Sequence, residues 1–195
     1  MASAAAPGGV ALTVFPEGEA ARVETPRHPA ASVLLTFASG VGLVLPAIPD
    51  FIGVVEFDEQ ELLNDGYEPS ETSPRWFPYA GRAVEFRALR GLIAASARAG
   101  TLSFEGDDAA RLARRMQMAK SADPAMALYA AYAFDQLGLR HWLREMATFQ
   151  RDDLGFSLFD LALLSRSGSD IATRKDVFPS FPMLAPGWTL LSAYG

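Results

Sequence analysis

The sequence contains no cysteine, and this absence excludes several kinds of chemistry. Without thiols the chain has no disulfide framework, no thiol nucleophile and no thiolate metal ligand. Histidine is scarce, with only two residues in the chain. No apolar run approaches the roughly 18 residues that a membrane-spanning helix needs. We therefore expect a protein with no bound transition metal, no cofactor and no membrane span.

The first 20 residues are rich in small side chains but lack the basic segment of a secretory signal, and Pro7, Gly8 and Gly9 interrupt their apolar run. We therefore expect a cytoplasmic protein.

Charge and hydrophobic pattern divide the 195 residues into two parts. Residues 1–80 carry eleven acidic side chains against three arginines, whereas residues 81–120 carry eight basic side chains against four acidic ones. The sign of the charge changes where the hydrophobic pattern changes from strands to helices. We predict an α+β protein with a β domain at residues 1–78 and a helical domain at 79–195.

The first part is predicted to be a small antiparallel β-sandwich. Ser39 and Gly40 form a turn signal between two of its strands, and Pro46 and Pro49 indicate an edge strand or a crossover because proline cannot donate to a ladder. The prolines at 68–79 indicate a linker. Short segments rich in Val, Leu, Ile and Phe predict strands at 11–15, 21–24, 32–37, 41–46 and 51–57.

The second part has the hydrophobic period of antiparallel helices. In the first of them we place one set of side chains on the apolar face (Val84, Phe86, Leu89, Leu92 and Ile93) and the arginines elsewhere (Arg82, Arg87, Arg90 and Arg98). Asp107 and Asp108 suit the first turn of a second helix, in which Leu112, Met116 and Ala119 recur on one side. Asp123 and Pro124 form an N-cap and first-turn pair for a third helix, which Gly138 ends.

Further helices are predicted beyond residue 138. Trp142, Met146 and Phe149 form the apolar stripe of the fourth helix. The segments "FSLFDLALLS" and "PGWTLLSAYG" predict a fifth and a sixth helix, separated by a loop at 167–185.

The stretch "ALYAAYAFDQLGLRHWLREMATFQRD" resembles one degenerate tetratricopeptide-type repeat (TPR), with small and aromatic residues, a Leu-Gly stop and an amphipathic partner helix. The order of "LVLPAIPDFIGVVEFDEQELLNDGYEPS", "AKSADPAMALYAAYAFDQLG", "DDLGFSLFDLALLS" and "FPMLAPGWTLL" resembles an accessory region of bacterial multidomain proteins that accompanies caspase-like or other peptidase modules. That resemblance implies a non-catalytic companion of a peptidase-type effector, and a cysteine peptidase centre is excluded from this chain itself.

Three sites for chemistry are weighed against plainer interpretations. His141 and Glu145 are four residues apart on a helix, but two ligands are too few for a metal and the HExxH order is absent. The acidic run at 56–71 lacks the spacing of an EF-hand, so we predict a hairpin through residues 58–60 with a solvated acidic face and a second turn at Asn64–Gly66. The basic helix at 111–120 suits nucleic acid, but a pI near 4.9 favours a solvated or docked face instead.

The helix beginning at Pro124 is apolar nearly all round, so we expect most of it to be core. If a groove exists beside it, its polar lining is predicted to be Tyr129, Tyr132, Asp135 and Gln136, because tyrosine supplies contact area and a hydrogen bond together. The first hypothesis is therefore a non-catalytic adaptor that binds another protein. The alternatives are an enzyme with an unrecognised carboxylate and His141 site, and a nucleic-acid binder using Arg111–Lys120.

Overall fold

A computed structural model describes residues 3–6, 11–14, 21–24, 30–58, 61–98, 106–165 and 175–179. Small antiparallel sheets form its N-terminal part, and helices form most of the rest. The α+β class predicted from the sequence is confirmed. The predicted sixth helix and most of the predicted loop at 167–185 lie outside the described residues.

Among the residues that the structure describes, seven strands precede the first helix, and they form three separate antiparallel sheets. One sheet has the order β1-β4-β5, and the pairs β2-β3 and β6-β7 are hairpin-like ladders. Every segment predicted as a strand from the sequence overlaps one of them. The strands are β1 (Ser3–Ala5), β2 (Ala11–Val14), β3 (Ala21–Glu24), β4 (Ala31–Thr36), β5 (Gly42–Ala47), β6 (Phe51–Asp58) and β7 (Glu61–Pro69).

The β4–β5 hairpin follows the turn chemistry of the sequence. Gly40 has a φ of 86°, a left-handed conformation that glycine adopts without a steric penalty, and the Phe37 N–H donates to the Val41 carbonyl at 2.9 Å. β5 lies at the edge of its sheet, where the missing N–H of Pro46 costs no ladder bond. The predicted turn and the predicted edge position are both confirmed.

The β6–β7 hairpin is the longest ladder, and it corrects one expectation. Asp58 pairs with Glu61, as the predicted turn at residues 58–60 requires. Asn64–Gly66, however, is not a second turn, because these residues pair with Val54–Glu56 inside the ladder. Asp65 is buried, so the predicted solvated acidic face is wrong at this position. Cross-strand pairing has overridden the local turn preference of Asn-Asp-Gly.

The prediction of an open linker at 68–79 is wrong at both ends of this segment, although several of its residues, Phe77 among them, are exposed. The segment ends β7 and then forms the short helix α1 (Trp76–Ala80). Tyr79 is fully buried and its ring stacks on Phe86 at 5.7 Å between centroids. Burial of these aromatic rings outweighs the local preference of the prolines for open chain.

In the described part of the chain after α1 there are five further helices and two very short strands. The helices are α2 (Ala83–Arg98), α3 (Gly106–Ala119), α4 (Pro124–Gln136), α5 (Arg140–Phe149) and α6 (Phe159–Leu164), with a π-helical turn at Gln150–Leu154. β8 (Ser157–Leu158) pairs in parallel with β9 (Val177–Phe178). The predicted fifth helix thus begins as a strand, and the predicted loop contains one.

Helix α4 is the centre of the core, as its composition predicts. Every residue from Pro124 to Phe134 is buried, and α3, α5, α6 and β7 pack around it. Asp123 caps its first turn through the Ala125 N–H at 3.0 Å, and Gly138 ends it with a φ of 69°. The predicted cap, stop and burial are confirmed.

Helix α2 turns a different face to the core than predicted. Phe86, Leu89 and Ile93 are buried, but Val84 and Leu92 are 81% and 58% exposed. Arg90, which we expected outside, is 2% exposed. At 100° per residue Val84 lies about 200° from Phe86, whereas position 90 falls within the buried stripe. The residue types suggested one buried face of α2, but the angular positions of the residues around the helix bury another.

Helix α5 packs on α4 through Trp142, whose ring stacks on Phe134 with centroids 6.0 Å apart. Because Trp142 is only partly buried, we expect Trp142→Ala to cost about 2–3 kcal/mol, below the typical loss for a fully buried tryptophan. The exposed Gln136→Ala should cost less than about 0.5 kcal/mol. Denaturant unfolding of both variants measures the difference, and equal stabilities would contradict this packing.

Candidate functional site

Two side chains complete the hydrogen bonding of strand β7 on the side away from β6. The Tyr67 N–H donates to Asp123 Oδ1 at 3.0 Å, and the Tyr67 carbonyl accepts from Arg90 Nη2 at 2.8 Å. Tyr67 is 2% exposed, so these backbone groups have no access to water and need such partners. Arg90 and Asp123 therefore occupy the place of a neighbouring strand.

Arg90 and Asp123 also bind each other. Arg90 Nε and Nη2 both lie 2.8 Å from Asp123 Oδ2, and the two side chains are 2% and 1% exposed. The other carboxylate oxygen of Asp123 caps α4 at Ala125. One ion pair thus joins β7, α2 and α4, and we call Asp65, Arg90 and Asp123 the buried ionic cluster.

A second ion pair lies at the margin of this cluster. Arg87 donates two hydrogen bonds to the Glu68 carboxylate, at 2.9 and 2.8 Å, and these bonds lower the pKa of Glu68. Arg90 Nη1 lies 3.6 Å from the same carboxylate. Burial and the nearby Glu68 carboxylate raise the pKa of Tyr79 to about 12. Arg87 and Arg90 therefore both attach α2 to β7.

Asp65 is the least compensated member of the buried ionic cluster. Burial, followed by the charge of Asp123, raises its pKa from the ordinary value of 3.8 to about 7, although Arg90 acts in the opposite direction. Arg90 is already engaged by Asp123, so it stabilises the ionised form of Asp65 only in part. Burial therefore favours the protonated form of Asp65 far more than it does for an exposed aspartate.

A carboxyl group with such a raised pKa is a common feature of active sites, but burial supports a structural role here. Asp65, Arg90 and Asp123 are all at most 7% exposed, and none of them lines the cleft described below. Sequence reasoning missed Arg90. The available signal was its position in the i, i+3, i+4, i+7 stripe of Phe86, Leu89 and Ile93.

Of the four residues predicted to bind a partner, two are buried and two are partly or fully exposed. Tyr129 and Tyr132 are 8% and 2% exposed, and the Tyr132 hydroxyl donates to Asp160 Oδ2 at 2.7 Å in the core. Asp135 is partly exposed and lies 3.5 Å from Arg140, while Gln136 is exposed. The structure does not bring the two hydroxyls to the surface beside Asp135 and Gln136. Partner binding by these residues stays a prediction.

The His141 and Glu145 pair is exposed on α5, and the His141 ring lies 4.9 Å from that of Trp142. Across the described ranges, no three histidine or acidic side chains converge as a metal site would need. Among the helices that the structure describes, none combines the length and apolarity needed to cross a bilayer.

An open cleft of about 430 Å³ lies on the helical side of the molecule. Pro74, Arg75 and Pro78 line it from the turn before α1 and from α1, and Phe86 from α2. Met118, near the end of α3, lines it as well. It therefore lies where the chain changes from sheet to helix.

The charged groups of the cleft are held by ion pairs. Arg82 lies over the Phe86 ring at 4.7 Å and donates to both oxygens of Glu85, at 3.0 and 3.1 Å. Arg75 lies 2.8 Å from Asp153. The Arg82 pair is exposed and contributes little to stability, whereas the Arg75 pair is partly buried, with side chains 27% and 35% exposed.

Large apolar side chains are exposed on the same helices. Phe77 of α1, Val84 of α2 and Met118 of α3 are 86%, 81% and 69% exposed, the highest values among the large apolar side chains for which the structure gives an exposure. Met118 also shares a helix face with Arg111 and Arg115, both exposed. We call Arg75, Arg82, Arg115 and Met118 the cleft rim. Its arginines are paired with Glu85 and Asp153, and Met118 supplies apolar area.

The Arg90 side chain of the buried ionic cluster packs directly against Gly66. A Cβ atom there would lie 2.4 Å from Arg90 Nε, so Gly66→Ala should displace Arg90 and cost about 1–3 kcal/mol. Gly53→Ala on the facing strand is the control, because its Cβ would meet only the Tyr67 ring at 3.7 Å. Chemical denaturation compares the two, and an unchanged Gly66→Ala would disprove this packing.

The raised pKa of Asp65 makes stability depend on pH. Between about pH 4 and 7 the folded state holds a proton that the unfolded state has released, so the free energy of unfolding falls as pH rises. One proton accounts for at most about 1.4 kcal/mol per pH unit. Asp65→Asn, which stays neutral, should show a shallower fall from pH 5 to 7 in denaturant titrations. Parallel curves for the two proteins would refute this assignment.

Comparison with known proteins found no matching family model, no matching curated protein and no matching solved structure. The function of this chain is therefore inferred from its own surfaces.

Proposed function

We propose that this protein is a non-catalytic interaction module that holds a segment of another protein in the cleft beside α1, α2 and α3. The observation that carries this proposal is the cleft itself, in which Met118, 69% exposed, lies beside Pro74, Pro78 and Phe86. Single exposed apolar residues are ordinary, but one that lines a concave surface together with further apolar side chains is typical of a protein contact. Apolar anchors at the centre of an interface supply most of its binding energy.

The position of the perturbed groups supports binding rather than catalysis. The buried ionic cluster lies away from the cleft, where a substrate has no contact with Asp65. The described residues lining the cleft include no histidine, and their arginines already bind Glu85 and Asp153. The enzyme alternative would need a general base placed against a bound substrate.

The proposal also includes the finer architecture. We propose that the small sheets stack as a sandwich, with a boundary at residues 78 and 79. The helical domain then presents the binding surface. A TPR-like pairing of α4 and α5 is supported by the contact of Phe134 with Trp142. We propose a cytoplasmic adaptor whose partner is a peptidase-type effector, with Asp135 and Gln136 as a secondary contact.

A displayed library of random 12-residue peptides tests the proposal without a known partner. Panning on the full chain should enrich an apolar motif that binds Met118→Ser about tenfold more weakly, because the variant loses an anchor contact. Leu92→Ser is the matched control: Leu92 is 58% exposed but does not line the cleft, and its loss should leave binding unchanged.

Two results would count against the interaction module. One is the absence of any enriched sequence after panning, and the other is equal binding of the enriched peptide to Met118→Ser and to the native chain. Melting curves of both variants confirm that each remains folded.

A further inference from the structure

The outer side of strand β6 is an open sheet edge. β6 forms a two-stranded sheet with β7, and on its other side no strand of the described residues joins it. We infer that an extended segment of a partner protein, with apolar and basic residues, pairs with β6 as an added strand of this sheet. The inference goes beyond the proposed function, because residues 51–56 do not line the cleft.

The hydrogen bonds of the hairpin determine which backbone groups of β6 face outward. The Ser70 N–H donates to the Asp50 carbonyl at 2.8 Å, so these two residues form a hydrogen-bonded pair just before the ladder begins. Hydrogen-bonded and non-hydrogen-bonded pairs alternate along antiparallel strands. Gly53 and Val55 therefore direct their N–H and C=O groups away from β7.

Tyr67 on β7 gives the same result independently. It lies opposite Gly53, and its N–H and carbonyl bind Asp123 and Arg90 on the far side of the hairpin rather than β6. The two edges of the hairpin thus differ. Side chains at the helices satisfy the β7 edge, whereas within the described part of the chain no hydrogen bond reaches the outward groups of Gly53 and Val55.

The side chains of β6 leave this edge accessible and apolar. Ile52 is 55% exposed, and Val54 and Val55 are half-buried. The strand contains no proline, and its register shift comes only after Glu56, so residues 51–56 form a regular edge. An edge strand of this kind is a template for pairing with another strand. In such pairing the backbone hydrogen bonds supply affinity, and alternate side chains supply specificity.

The charge of the hairpin indicates the chemistry of the added strand. Residues 50–69 contain seven acidic side chains and no basic one. Asp50 and Glu56 are exposed near the two ends of the regular edge, and within the described residues neither forms an ion pair. The Glu56 carboxylate accepts a hydrogen bond from Asn64 Nδ2 at 3.3 Å. These carboxylates are therefore available to cations of a partner, and opposite charges on neighbouring strands stabilise their pairing.

A second copy of the chain is the competing occupant, and charge disfavours it. Antiparallel pairing of two β6 strands about Gly53 places Asp50 of each copy opposite Glu56 of the other. Pairing about Val54 places Asp50 opposite Asp58. Like charges directly opposite each other destabilise a sheet, so a basic partner segment is favoured over a second copy.

Fluorescence anisotropy with the full chain tests the inference. The first probe is a labelled peptide of alternating valine and lysine with the length of β6, 8 residues. The second carries N-methyl groups on its central residues, which keep its charge but remove the N–H donors of the added strand. The third has Glu in place of every Lys. The first probe should bind at least about tenfold more tightly than either of the others, because it alone offers backbone donors together with positive charge.

Two substitutions at Gly53 separate the backbone contact from the side chain. Gly53→Pro removes the outward N–H but no bond of the β6–β7 ladder, and an edge strand tolerates proline at such a position. Gly53→Ala keeps the N–H, and its Cβ atom meets only the Tyr67 ring at 3.7 Å. The proline variant should bind the first probe about tenfold more weakly, and the alanine variant as tightly as the native chain. Melting curves establish that both are folded.

A second pair of variants tests the charge. Glu56→Lys and Glu145→Lys make the same change at an exposed residue, one on β6 and the other on α5. Glu56→Lys should weaken binding of the first probe about fivefold, and Glu145→Lys should leave it unchanged. This pair and the N-methylated probe keep the test valid if Gly53→Pro does not fold.

Several results would overturn the inference. Equal binding of the first and the N-methylated probe would mean that the peptide does not pair as a strand, and equal binding to Glu56→Lys and the native chain would remove the basic partner. Absence of binding counts against it too. A dimer in sedimentation velocity that Gly53→Pro abolishes would assign the edge to a second copy.

Met118→Ser distinguishes this inference from the proposed function. That substitution alters the cleft and should leave the affinity of the first probe unchanged, so each proposal can fail while the other stands. A loss of affinity in Met118→Ser would place the peptide in the cleft, which would overturn the pairing with β6 and support the interaction module.

Discussion

The ion pair of Arg90 with Asp123 is the interaction on which the arrangement of the two halves depends. It satisfies the free backbone edge of β7 at Tyr67, caps α4 and holds α2 against the hairpin. A two-stranded hairpin is only marginally stable by itself. Here side chains of two helices replace the missing third strand, so the hairpin and the helices stabilise each other.

Such a pair contributes more to specificity than to net stability. Removing two charges from water costs several kcal/mol per ion, and only good geometry with further hydrogen bonds recovers that cost. Arg90 and Asp123 have this geometry, since each also bonds to the backbone of Tyr67. A one-residue slip of β7 would present Gly66 or Glu68 instead, so the pair selects one register.

Charge is used in opposite ways inside and outside the molecule. The buried ionic cluster joins secondary-structure elements, and its imbalance raises the pKa of Asp65. At the surface, Arg82 and Arg115 share Glu85 in exposed pairs, and Arg75 binds Asp153 in a partly buried one. The buried arrangement fixes how the elements pack, whereas the exposed pairs contribute little to stability.

The local elements of this protein could be predicted from the sequence, because they depend on short-range chemistry. Strand segments, the turn at Gly40, the cap at Asp123 and the stop at Gly138 each follow from a few neighbouring residues. The burial of α4 also followed, since a helix apolar on every side has no stable solvent face.

What only the tertiary structure decided was which polar groups are buried. Arg90 looks like a surface residue by type, and Asn64–Gly66 looks like a turn, yet Arg90, Asp65 and Gly66 are buried where β7, α2 and α4 meet. For the candidate site, the sequence predicted a partner-binding strip at Tyr129, Tyr132, Asp135 and Gln136; the fold buries the two tyrosines and leaves the other two partly or fully exposed. The cleft joins residues 50, 75, 86 and 118, far apart in the chain, and no local pattern encodes such a meeting.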